Sequence, residues 1–259
     1  MTSPDPQTIR TILQRDPIWS VYAIADLQPA FAEHCRWSVV DDHHGQAVVL
    51  LFTALQPPIL FVTGDAAAVS AALAASTWPE TIYVTLRPES LPLLSASYTW
   101  AEQRAMVRMV LQQERRLPMP PMANLVRLQP DHAAAIRALY AQGGPFTPDA
   151  FDAYQLADGV FYGVTDEQGA LCAVGGTHIV AWEARMAAIG NMYTHPAQRG
   201  KGYARAVLDA IVTELQTRNV STIVLNVDER NATARRLYEQ FGFVPYCPYI
   251  EAEGIKKSR

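Results

Sequence analysis

Basic runs, cysteine pairs and long apolar stretches are all missing from this chain. Lys and Arg number 21 against 25 Asp and Glu in 259 residues, a formal net charge of −4 at pH 7. No stretch of Lys or Arg exceeds two residues, which argues against a general nucleic-acid surface. The three cysteines, Cys35, Cys172 and Cys247, are odd in number and far apart, and none forms a C-x-x-C pair. That excludes a disulfide framework and a thiolate metal centre, and leaves buried free thiols. His43-His44 beside Asp41-Asp42 reads as a polar turn ending at Gly45, not as a metal site. No apolar run reaches membrane-spanning length, and Met1 to Gln7 is polar rather than leader-like. The expectation is a cytoplasmic protein with no membrane, nucleic-acid or metal partner.

What the chain does have is apolar mass. Hydrophobic residues make up 49%, enough for one large core or two modest ones. Helical spacing runs from about Pro6 to Gln28 through Ile9, Ile12, Leu13, Trp19, Tyr22 and Leu27. Strands are expected at 37–40, 47–52, 59–62, 81–86 and 106–111, with an Ala-rich helix capped by Asp65 up to about Ser76. The stretch 112–122 carries Arg115, Arg116 and three prolines, and reads as a linker. It divides an N-terminal α/β module, 1–118, from a second domain, 119–259. In the second domain a strand at 124–128 precedes a helix from Asp131. Another helix is expected to start at Thr147-Pro148, with Thr147 as cap. Strands follow at 160–165, 171–180 and 186–194, then a helix to about Arg218, a strand at 222–227, a helix over 231–241 and a strand from Phe243. This mixture predicts an α/β (α+β) fold, a mixed central sheet flanked by helices.

The stretch Met192-Tyr193-Thr194-His195-Pro196-Ala197-Gln198-Arg199-Gly200-Lys201-Gly202-Tyr203-Ala204 organises that second domain. It reads as a strand end, a tight turn and the first turn of a helix. Pro196 stops the strand, and Gly200 and Gly202 permit sharp bends and close approach of a ligand. Such a turn aims several main-chain N–H groups at one spot at the positive end of a helix dipole, which suits phosphate. It is neither G-x-x-x-x-G-K-[ST] nor G-x-G-x-x-G.

A second motif lies about thirty residues on: Asn231-x-x-Ala234-x-x-x-Tyr238-Glu239-x-x-Gly242-Phe243. Asn231, Ala234 and Tyr238 share one helix face by their three-to-four spacing. Arg199-x-x-Gly202-x-Ala204 and this second pattern, in this order, resemble the two signature motifs of the GNAT superfamily of acyl-CoA-dependent N-acyltransferases. The resemblance covers about residues 123–250. The strand-helix-strand over 59–86 repeats the shape of the second domain, but Thr63-Gly64-Asp65 lacks the loop motif. The first module therefore reads either as a degenerate copy of the same fold or as an unrelated α/β lid.

The resemblance implies acetyl-CoA, or another acyl-CoA, as co-substrate with no metal. It places Arg199, Gly200, Lys201, Gly202, Tyr203 and Ala204 at the diphosphate. It sets Met192, Tyr193, Thr194 and Asn226 along the pantetheine, and Asn231 beside the cofactor. Tyr238 becomes the acid that protonates the leaving thiolate. The position at which many members carry a basic Glu is Ala188 here. Glu183, Asp228, His178 and His195 are candidates for the base by vicinity only, and a water chain is an alternative. The expected activity is direct transfer to the amine of a small or amino-acid-like acceptor. The alternatives are a weakly catalytic acyl-CoA sensor and a protein or peptide N-acetyltransferase. Nothing in the sequence fixes the acceptor, the acyl length or the oligomeric state.

Overall fold

A computed structural model describes residues 4–112 other than 44, residue 122, and residues 124–257 other than 150. The chain divides into two compact units: Met1–Arg108 with Tyr246–Arg259, and Met109–Pro245. The expected division was 1–118 and 119–259; the boundary instead falls after Arg108, and Tyr246–Arg259 joins the first unit. Most of the expected linker at 112–122 lies outside the described residues.

The first unit opens with helices α1 (Pro6–Leu13) and α2 (Val21–Ala25). Pro17 lies between them, where proline was expected to punctuate the helical stretch. Asp5 caps α1, its carboxylate accepting from the N–H groups of Gln7 and Thr8. Strands β1 (Cys35–Asp42), β2 (Gly45–Phe52) and β3 (Ile59–Gly64) form an antiparallel meander. Helix α3 (Ala66–Ala74) then crosses to β4 (Thr81–Leu86), which pairs parallel to β3. A short helix α4 (Leu91–Ser95) leads into β5 (Tyr98–Leu111). The final strand, β11 (Phe243–Lys256), runs back and inserts between β4 and β5, pairing antiparallel to β4 from Ile250↔Leu86 to Ile255↔Thr81. Val49, Leu51, Leu60, Val62, Val69, Ile82 and Val84 build the core between this sheet and α3. The continuous apolar run of β2 is buried along most of its length, as a strand covered on both faces must be.

The second unit contains β6 (Leu125–Arg127), α5 (Ala133–Tyr140), α6 (Tyr154–Asp158), β7 (Phe161–Thr165), β8 (Leu171–Ala181), β9 (Met186–Thr194), α7 (Tyr203–Thr217), β10 (Thr222–Asp228) and α8 (Ala232–Phe241). Its strands lie in the order β10-β9-β8-β7-β6. All neighbours are antiparallel except β9 and β10, which are parallel around the α7 crossover. Val207, Leu208, Ile211, Val212 and Leu215 form the buried stripe of α7. A separate cluster of Leu128, Ile136, Leu139, Tyr140, Leu156, Phe161, Val174 and Tyr193 packs α5 and α6 onto the sheet. Arg127 forks onto Glu214 of α7 at 2.8 Å from Nε and 3.2 Å from Nη2, while Nη2 also donates to the Gly159 carbonyl. The helix expected at Thr147 begins only at Tyr154. The Thr147 hydroxyl donates back to the Gly144 carbonyl at 2.9 Å, closing a turn where a cap was expected.

The two units share a sub-pattern. In each, an antiparallel pair is followed by a helix that crosses to a parallel strand: β2-β3-α3-β4 and β8-β9-α7-β10.

Candidate functional site

The parallel ladder of β9 and β10 is short. It runs from Met186↔Thr222 to Ile189↔Leu225 and stops, although β9 continues to Thr194 and β10 to Asp228. Gly190 to Thr194 and Asn226 to Asp228 thus leave the ladder together. Met192, Tyr193, Thr194 and Asn226 lie on these two strand ends, beyond the last paired residues.

The cause of the divergence is local. The β8–β9 register slips between Val174 and Gly176 and again between Thr177 and Ile179. Asn191 sits in β9 at φ +57°, a left-handed conformation rare for a side-chain-bearing residue. Two contacts hold it there. The Tyr140 hydroxyl donates to its carbonyl at 2.8 Å, and its Nδ2 donates to Gln155 Oε1 at 2.9 Å. Tyr193 is a buried core aromatic whose hydroxyl donates to the Gly143 carbonyl at 2.7 Å. Met192 turns its sulfur to the α7 side, against Gly175. Tyr193 can therefore offer a ligand its main chain only.

The loop after β9 keeps its amides available. Pro196–Gln198 forms one tight turn, with His195 Nδ1 accepting from Ala197 N–H at 3.2 Å. Gly200 and Gly202 stand at φ +80° and +81°, and a β-carbon on either would meet nothing within 4 Å. The first internal helical bond runs from Ala206 N–H to the Gly202 carbonyl at 3.0 Å. Among the described residues, the N–H groups from Gly200 to Arg205 take no protein acceptor. These are six uncommitted donors at the start of a fifteen-residue helix, the end of a helix that suits an anion. Arg205 in the first turn of α7 and Arg235 on α8 each have a buried Nε without a partner. Arg199 Nε donates to the Thr194 carbonyl at 3.3 Å, and Lys201 Nζ to Gln198 Oε1 at 2.6 Å.

Asn231 caps α8, its side-chain oxygen accepting from Ala234 N–H at 3.1 Å. That occupies the carbonyl side of its amide. Tyr238 lies on the buried face of α8 with its ring 6.1 Å from that of Phe243. Burial pushes its hydroxyl up to about 12, so it is a proton donor throughout the neutral range. No protein group among the described residues accepts from that hydroxyl.

The base candidates separate clearly. Asp228 is bound by its neighbour Arg230, at 2.7 Å from Nη2 and 3.0 Å from Nε. His195 caps its own turn, and Glu183 is exposed in the turn before β9. Ala188 is fully buried inside the closed ladder, paired with Val224. His178 of β8 alone reaches the point where the strands part. Its imidazole lies against the Cα of Gly190, so that a β-carbon there would overlap the ring, with Nε2 the nearest atom. Burial lowers the His178 pKa, opposed by the Asp149 carboxylate and by a hydrogen bond with the Asn191 side chain. Sequence reasoning missed Tyr140, Gln155 and Asn191. The signal was the glycine set Gly175, Gly176 and Gly190, since glycine inside a strand marks a bulge or a close approach.

The corresponding turn of the first unit is closed. Asp65 N–H donates to the Gln46 carbonyl at 2.9 Å, and Asp65 Oδ2 accepts from Gln46 N–H at 2.9 Å. The Val62 carbonyl at the end of β3 accepts from the indole of buried Trp19 at 3.3 Å. Asp65 is thus committed, main chain and side chain, to Gln46 of β2.

Residues 128–243 match the Acetyltransferase (GNAT) family. A [ribosomal protein bS18]-alanine N-acetyltransferase of Haemophilus ducreyi is 40% identical over 53 residues, 20% of this chain and 37% of that one. A mycothiol acetyltransferase of Beutenbergia cavernae is 40% identical over 68 residues, 25% of this chain and 23% of its own. The chain thus spans well under half of either relative's length. Among solved structures, a tandem GNAT protein from the clavulanic acid biosynthesis pathway aligns over 100% of this chain and 98% of its own. Its TM-score is 0.59 at 14% identity, which is a likeness of fold.

Proposed function

We infer, for a chain whose residues 128–243 match the GNAT acetyltransferase family, that it moves an acetyl or other acyl group from acyl-CoA directly to an amine. The observation that carries this reading is the row of uncommitted amides from Gly200 to Arg205, at the end of a strand that has just left its parallel neighbour. The diphosphate is held by those amides, with Arg199 and Lys201 beside it. The pantetheine lies along Met192, Tyr193 and Thr194, opposite Asn226, adding its amides as a strand would. The β9 main chain supplies the donor that receives the carbonyl oxygen as it becomes anionic. Tyr238 protonates the leaving thiolate. No metal takes part.

The catalytic domain is the second unit. The first is a degenerate copy, a reading supported by its repeated strand-helix-strand and by the tandem neighbour. The acceptor is a small-molecule or amino-acid-like amine. A peptide α-amine is a second reading, favoured by the likeness to enzymes named for an alanine of a ribosomal protein.

The test is release of free thiol from acetyl-CoA in the presence of a panel of small amines and of Ala-initiated peptides. Release that depends on an amine supports transfer, and the responding class decides between the two acceptors. CoA binding with no release under any acceptor would reduce the protein to a sensor of acyl-CoA.

A further inference from the structure

We propose that His178 is the general base of this site, taking the proton that the acceptor ammonium must lose before its nitrogen can attack. This role rests on the acyl-transfer reading above and specifies the one group that reading leaves open.

The argument begins with position. The thioester carbonyl is delivered to the place where β9 leaves β10, and that place is Gly190. The His178 ring lies on Gly190 with Nε2 foremost. Any side chain at 190 would expel the ring, so glycine there and histidine at 178 are matched. The register shift between Thr177 and Ile179 sets His178 at an irregularity of β8, outside the regular pairing.

Surroundings are the second strand of the argument. Asp149, on the loop between α5 and α6, is the charged group that faces the ring among the described residues, and Asn191 meets it from β9. Asn191 is 4% exposed, and with its Nδ2 given to Gln155 its Oδ1 is the side-chain acceptor left for the ring. Once the imidazole is protonated, that oxygen and the Asp149 carboxylate both stabilise it. Burial opposes the charge, so at neutral pH the ring is neutral and ready to accept. The other candidates are already paired, exposed, or enclosed in the ladder.

The step balances as follows. His178 takes one proton from the ammonium, leaving a neutral amine. The nitrogen lone pair forms the C–N bond while the carbonyl electrons move onto oxygen. As the carbonyl reforms, the C–S bond breaks and the sulfur takes the Tyr238 proton. The amide nitrogen sheds its second proton, which restores Tyr238 through water. His178 passes its proton to solvent, so one proton is released per amide and per free thiol formed.

The experiment compares wild type, His178→Gln and His178→Ala by calorimetry with CoA and by thiol release from acetyl-CoA between pH 5.5 and 9. Thermal unfolding checks that each variant is folded. The expected result is unchanged CoA affinity and kcat lower by about a hundredfold, within the range for general bases. The acid limb of kcat/KM, lying below about pH 6.5 in the wild type, should be lost. Added imidazole should partly restore the Ala variant. Variants that keep both the acid limb and a kcat within a few-fold of wild type would overturn the role of His178 alone. A wild type that neither binds CoA nor releases thiol would remove the transfer reading and this role with it.

Discussion

Two glycines of the second unit have nearly the same backbone and different surroundings, and substituting both separates fold from ligand. Gly202 lies at φ +81° and Gly169, in the turn between β7 and β8, at φ +85°. A β-carbon on either meets nothing within 4 Å. Alanine therefore pays only the left-handed penalty at each, about 1–2 kcal/mol. For a unit of this size that lowers Tm by about 2–8 °C. The difference lies in the amides. Gly169 N–H is committed to the Asp166 carbonyl at 3.1 Å, whereas Gly202 is inside the row with no protein acceptor. A methyl group at 202 stands where a diphosphate must approach, and twisting the turn misaims its neighbours. Losing one or two charge-assisted hydrogen bonds amounts to about 1.5–3 kcal/mol each, or at least a tenfold weaker Kd. Calorimetry with CoA and thermal scans on Gly202→Ala and Gly169→Ala read both quantities. Equal Tm losses with weakened CoA binding in Gly202→Ala alone is the expected result. Equal effects on CoA binding in the two variants would refute the amide row as the anion site.

Tyr238→Phe should lower kcat about ten- to a thousandfold in a thiol-release assay while leaving CoA affinity within about twofold, because the buried ring and its contact with Phe243 are retained; unchanged turnover would remove the hydroxyl from the reaction. Tyr140→Phe leaves the carbonyl of strained Asn191 without its donor, and should cost about 1–3 kcal/mol in urea unfolding together with a fall in turnover. Glu214 is raised by burial but lowered more by the Arg127 fork and by Tyr162 and Arg218, so its folded pKa lies below 4.5. Its contribution is full above pH 4.5 and lost as pH falls through the folded value. Glu214→Gln should thus be less stable by about 1–2 kcal/mol at pH 7, with a shallower fall in Tm below pH 4.5, and identical acid profiles would contradict the assignment.

Much of this was legible from spacing. The order of strands and helices in the second unit follows from apolar runs bounded by glycine, proline and capping residues, and both motifs fall on loop and helix as their spacing required. Less could be read where tertiary contacts overrule local signals. Thr147-Pro148 looks like a helix start, yet the Thr147 hydroxyl prefers the Gly144 carbonyl. The strand β5 extends back to Tyr98 through Glu102 and Arg104, because polar side chains on an exposed strand face carry no apolar run to detect. The return of β11 to the first unit depends on pairing between residues far apart in sequence. The site divides in the same way. Arg199, Gly200 and Gly202 carry their own backbone signal. The left-handed Asn191 and the seat of His178 on Gly190 arise from a register slip between two strands, which no single segment encodes.

The measurement that bears most directly on the whole account is calorimetric titration with CoA and with pantetheine, which shares the thiol arm but lacks the diphosphate. If the amides from Gly200 to Arg205 provide the grip, CoA binds at about micromolar Kd and pantetheine at least a hundredfold more weakly. Equal affinity for the two, or no binding of CoA at all, would contradict it.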